Sequence, residues 1–110
     1  MQGAGGYIKS YRSILEWEWF KDRNTLQMWI YILHRVNYEP SRFMDMTIER
    51  GQMIETYQTM SENTGLTLQQ VRTAIKHLTL TREITRQSTR HGMLISVVKF
   101  STYQGSDDSS

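Results

Sequence analysis

The chain has 110 residues, 38% of them hydrophobic, with 13 Lys and Arg against 11 Asp and Glu and no cysteine. That is enough for one domain with one modest core, and it excludes a disulfide framework and a Cys-based metal site. No apolar run approaches the ~20 residues that a membrane-spanning helix needs, and "MQGAGGYIKS" lacks the basic and apolar regions of a secretory signal, so the expected setting is cytoplasmic, with no membrane partner.

Residues 1–6 read as a flexible lead-in, 7–103 as the domain, and 104–110 as a disordered tail or the start of a linker to further protein. "YRSILEWEWF" (11–20) reads as helical, with Ile14, Trp17 and Phe20 near one face. Asp22 or Asn24 is the candidate cap of the next helix. "TLQMWIYILHRVN" (25–37) is the strongest helical signal. Leu26, Trp29, Ile30, Leu33 and Val36 or Asn37 follow the i, i+3, i+4, i+7 rule, and Met28 and Ile32 widen that face. The residue before Pro40 is pushed out of the helical region, which closes the helix.

"FMDMTIERGQMIET" (43–56) holds two short alternating pieces about "ERG", with Gly51 as the turn residue. Either a small hairpin or one strand with irregular chain fits. "YQTMSENTG" (57–65) reads as a short helix capped by Thr56 and closed by Gly65. Thr67 opens another helix over 67–80, and Gln70 three residues on completes a capping-box pattern. Ile84–Ser88 and Met93–Lys99 are β-prone, joined by "TRHG" as a hairpin tip. The expected fold class is α+β, mainly α: a winged helix-turn-helix with an N-terminal helical extension and a small antiparallel β-wing spanning 84–99.

The corner at Gly65 matters because a helix-turn-helix holds its second helix by the first and leaves one face free. On 67–80, Val71, Ala74, Ile75 and Leu78 face inward, leaving Gln69, Gln70, Arg72, Thr73, Lys76 and His77 outside. Gln and Arg can pair with base edges, while Lys and Thr suit phosphate. The helix N-terminus at Thr67 adds attraction for a phosphate. Arg86, Arg90 and His91 lie on or beside the hairpin tip.

Charge distribution points the same way. Residues 1–65 hold seven Lys and Arg and eight Asp and Glu. Residues 66–100 hold Arg72, Lys76, Arg82, Arg86, Arg90 and Lys99 against Glu83 alone, a balance of +5. An ordinary solvated helix face is the plain alternative for these side chains. The asymmetry, the corner and the basic hairpin together favour duplex DNA as the partner. Gln69, Gln70 and Thr73 are then expected to carry sequence preference, and Arg86, Arg90 and His91 to grip the backbone.

With these features in order, the chain resembles the winged-helix N-terminal domain of phage replisome-organiser and DnaD-like replication-initiation proteins. The resemblance covers roughly residues 6–104. It rests on "GYIKSYRSIL", "WFKDRNTLQMWIYILHRVN", "RGQMIETYQTMSENTGLTLQQVRTAIKHL" and "ITRQSTRHGMLISVVKFSTYQ". It implies origin DNA binding or replisome assembly, self-association, replisome partners such as a helicase or its loader, and a second domain after a linker. One stretch departs from the pattern: "LTLTREI" (78–84) lacks the acidic, Gly-containing turn common before the wing. The alternatives are a winged-helix transcriptional regulator, or an assembly module that does not touch DNA.

Tyr7, Ile8, Tyr11, Trp17, Trp19 and Phe20 exceed what one small core should need and are the expected oligomer interface. An enzyme is not expected. His34, His77 and His91 have no metal-ligand spacing, "GAGG" (3–6) follows no strand, and Asp45, Glu49, Glu55 and Glu62 are scattered. No catalytic residue, metal or cofactor is assigned.

Overall fold

The computed structural model describes residues 12–100. Tyr7, Ile8 and Tyr11 of the expected interface lie outside the described residues, as do 101–110. A short 3-10 helix at Arg12–Glu16 leads through a turn into α1 (Arg23–Arg35). Then come β1 (Ser41–Phe43), β2 (Met46–Ile48), β3 (Gln52–Glu55), α2 (Tyr57–Thr64), α3 (Leu68–Leu80), β4 (Ile84–Thr89) and β5 (Gly92–Val97). The described residues form a small α+β domain with three α-helices and two antiparallel sheets. β1 and β2 form one hairpin; β3, β5 and β4 form a three-stranded sheet in that spatial order. Within the stretch expected to be helical, Arg12–Glu16 forms a 3-10 helix, with Trp17 and Trp19 beyond its end.

Asp22, not Asn24, caps α1, its carboxylate accepting the Thr25 N–H at 3.1 Å. The buried stripe of α1 is Thr25, Met28, Trp29, Ile32 and Leu33, with Val36 following. The period matches the expectation, but the phase is shifted by one position. Ile30 is 48% exposed, while Met28 is fully buried in the core cluster that also holds Met60, Val71 and Ile75. The helix stops well before Pro40, at Val36, whose backbone is extended. Asn37 then turns the chain: its N–H donates to Gln52 O, its carbonyl accepts from Gly51 N, and its side-chain amide donates to Ser41 Oγ and Ile48 O. Those bonds replace the helical ladder and pin the first hairpin to β3.

That hairpin turns at Met44–Asp45, not at "ERG". Gly51, at φ 79°, instead joins β2 to β3. β3 pairs with β5 over Gln52–Glu55, and β5 with β4 over their whole length. Glu55 binds the layers together. It accepts from Tyr31 Oη at 2.6 Å and from Arg35 Nε at 2.8 Å, and Asn63 Nδ2 donates to the same Tyr31 hydroxyl at 2.9 Å. Burial, outweighing the Asn63 bond, pushes the Tyr31 hydroxyl above its ordinary pKa.

The turn from α3 into β4 accounts for the departure noted at 78–84. Glu83 N donates to Leu78 O at 3.0 Å and Arg82 N to Thr79 O at 3.1 Å, the paired bonds of a Schellman cap. The position that glycine ordinarily fills is Arg82, at φ 66°. A side chain in that conformation is strained. Arg82→Gly is therefore expected to stabilise the domain by about 0.5–1 kcal/mol, measured as a higher urea midpoint at unchanged slope; a lower midpoint would contradict it.

Candidate nucleic-acid interface

α3 is held from three sides. Val71, Ala74, Ile75 and Leu78 enter the core with Met28, Trp29, Ile32 and Met60. Its N-terminus carries the capping box: Thr67 Oγ1 accepts Gln70 N at 3.1 Å, and Gln70 Oε1 accepts Thr67 N at 2.9 Å. The corner before it is tied by Ser61 Oγ donating to Leu66 O and by Gln27 Nε2 donating to Thr64 O. Gly65, at φ 81°, makes the reversal. The third hold comes from the N-terminal segment. Trp19 stacks on His77 with ring centroids 4.2 Å apart and planes within 7°. Trp19 Nε1 donates to Thr81 Oγ1, and Trp17 Nε1 donates to Glu83 Oε2, each at 3.0 Å.

These holds leave Gln69, Arg72, Thr73 and Lys76 on one exposed face. Gln69 Nε2 reaches Thr73 Oγ1 at 3.3 Å. Gln70 is exposed, but its carbonyl is spent on the cap. His77 is turned away: Nδ1 lies 2.8 Å from Thr25 Oγ1 and 3.1 Å from Asp22 Oδ2. Its ring is committed inside the chain, as are the indole N–H groups of Trp17 and Trp19. Phe20 is half-buried.

Sequence reasoning missed Tyr57. The first residue of α2, it joins the two candidate elements. The Arg72 guanidinium sits 6.0 Å from its ring centroid, and Arg86 Nη1 donates to its hydroxyl at 3.4 Å. Arg72 of α3 and Arg86 of β4 thus converge on one aromatic platform. Among the described residues, neither they nor Lys76 forms a salt bridge, unlike Arg35 with Glu55 and Arg90 with Asp45. Their charge is available to an anion. A hint lay in the sequence, an aromatic at the start of a polar helix, but no local rule links 57 to 72 and 86.

The wing tip is not loose. Asp45, at the turn of the first hairpin, accepts from Arg90 Nη2 at 2.6 Å and lies 2.8 Å from His91 Nε2. Hydrogen bonds, from Arg90 first and then from His91, hold the Asp45 carboxyl below its ordinary pKa. A carboxylate with a depressed folded-state pKa contributes above its unfolded value, and the contribution is lost as pH falls through the folded value. The clasp is therefore expected to open on acidification below the usual carboxylate range. Carbon NMR of Asp45 should show a depressed midpoint in the native chain and a higher one in Arg90→Ala; identical midpoints would contradict the clasp.

Among the described residues, no group of His, Asp or Glu is placed to hold a metal ion, and no helix is long and apolar enough to cross a membrane. Comparison of the chain with protein-family models, curated proteins and solved structures finds no match.

Proposed function

We propose that this domain is a winged helix-turn-helix that binds duplex DNA, with α3 laid in the major groove and the β4–β5 hairpin as its wing. The observation that carries this reading is the convergence of Arg72 and Arg86 on Tyr57, from the helix and from the hairpin, with no carboxylate among the described residues paired to either. A phosphate approaching that platform meets two forked donors, which suit its geometry. Lys76 lies one turn further along the same helix face and serves a neighbouring phosphate. Gln69 and Thr73, in the first turns of α3, face where base edges would lie. The strand order β3-β5-β4, with α2 and α3 between β3 and β4, supports the winged-helix assignment.

The resemblance of the sequence to replisome-organiser and DnaD-like domains supports replication initiation as the setting of this binding, and we propose that setting, in the cytoplasm. The test is amide chemical-shift mapping with a mixed-sequence duplex at low salt. Shifts should concentrate on Thr67–Lys76, Tyr57 and Arg86. Shifts confined to the opposite face of α1, or none, would remove the reading.

A further inference from the structure

The first turn of α3 divides two neighbouring amides between two tasks. Gln70 closes the helix. Its Oε1 accepts Thr67 N at 2.9 Å, and its own N–H donates to Thr67 Oγ1 at 3.1 Å. That side chain cannot turn into a groove without opening the cap. Gln69, one residue earlier, takes no part in the capping box. Its Nε2 donates instead to Thr73 Oγ1 at 3.3 Å, one turn along the same exposed face. The bond is at the long end of the range, so it sets the direction of the amide and lets it adjust. An amide nitrogen carries two hydrogens, and an amide oxygen two lone pairs. Thr73 uses one of those hydrogens. One N–H and Oε1 remain on Gln69, a donor beside an acceptor on an exposed side chain.

We infer that Gln69, set in place by Thr73, reads one adenine on the major-groove edge of the duplex, and this rests on the duplex-binding reading above. Each base shows a different order of donors and acceptors in that groove. Adenine shows the N7 acceptor beside the N6 amino donor, and the remaining N–H and Oε1 of Gln69 meet them in two parallel bonds. Guanine shows two acceptors, N7 and O6, so Oε1 would face O6 with no hydrogen between them. Cytosine and thymine each offer one polar group there, and one bond at most. The position agrees. Gln69 is the second residue of α3, and the N-terminal residues of a recognition helix are those that reach base edges. Arg72, held beside Tyr57, lies three residues on, about 4.5 Å of helix rise. A phosphate bound at that platform therefore fixes the register at which the amide meets a base. Thr73 is a positioning residue. A free glutamine must have its torsions fixed on binding, and the bond to Thr73 removes part of that cost beforehand. Gln70, spent on the cap, adds no readout.

The experiment selects a duplex library with a randomised core on the native chain and on Gln69→Ala, Gln70→Ala, Thr73→Ala and Thr73→Ser, and sequences what is retained. All three positions are exposed, so the variants keep the fold, which circular dichroism checks. The native chain should enrich one A·T pair. Gln70→Ala should keep that preference, since it removes only a cap, and so should Thr73→Ser, which keeps the hydroxyl. Gln69→Ala should lose the preference and Thr73→Ala should weaken it. The enriched duplex is then made with 7-deazaadenine at that pair, which lacks the N7 acceptor. Native binding by anisotropy should fall roughly tenfold, while Gln69→Ala binds both duplexes equally. Enrichment of a G·C pair lost in Gln69→Ala, an unchanged preference in Gln69→Ala, or an equal 7-deazaadenine penalty in both chains would overturn the readout. An undiminished preference in Thr73→Ala would remove Thr73 from it. Native chain that retains library DNA in a salt-dependent way with no preferred base would overturn the readout and leave the duplex-binding reading standing. Native chain that retains no DNA would overturn both.

Discussion

Arg72→Ala combined with Arg86→Ala is expected to weaken duplex binding by roughly a hundredfold, two charge-assisted contacts at about 1.4 kcal/mol each. The salt dependence should flatten by about two units, since each phosphate contact contributes about 0.9. Both guanidinium groups meet Tyr57, so the single variants should not sum to the double, and the difference measures their coupling. Tyr57→Phe separates the two contributions. It keeps the ring under Arg72 and removes the hydroxyl that accepts from Arg86. Its effect should match Arg86→Ala more closely than Arg72→Ala. Equal binding by native and double-variant chains would show that the platform holds no phosphate.

The second large effect is on stability. Ile75 is fully buried, the inward face of α3 against the helices that hold it. Ile75→Ala removes three methylene equivalents and leaves a cavity, at about 2–5 kcal/mol. Domains of this size unfold with only about 5–15 kcal/mol, so the melting temperature should fall by about 10 °C or more. The urea slope should stay unchanged, since the exposed area on unfolding is nearly the same. DNA binding measured well below the new midpoint should persist, because the outer face of α3 is untouched. A shift under about 2 °C would mean that α3 is not packed as described.

Local chemistry made much of the fold legible. Thr56, Gly65, Thr67 and Gln70 act through bonds spanning a few residues, and each sits where capping rules put it. The apolar period of α1 was readable too, but its phase was not. Whether Met28 or Ile30 turns inward is decided by which side of α1 meets Met60, Val71 and Ile75, which lie elsewhere in the chain. The turn at Met44–Asp45 and the left-handed Arg82 went unread for the opposite reason: both break the local preference for glycine or asparagine. Arg82 is tolerated because Glu83 is held by Trp17 and by Thr81. At the candidate site, the outward face of α3 was legible from periodicity. Tyr57 was not, because its role exists only once α2, α3 and β4 are assembled. His77 shows the same limit. Its helical position is outward by period, yet Trp19 and Asp22 fold back to meet it.

The measurement that bears most directly on the central claim is a titration of the native chain against a mixed-sequence duplex over a series of salt concentrations. Arg72, Lys76 and Arg86 together predict that log affinity falls linearly with log salt at a slope of about −2.7 or steeper. No binding at low salt, or binding that salt does not weaken, would contradict the account.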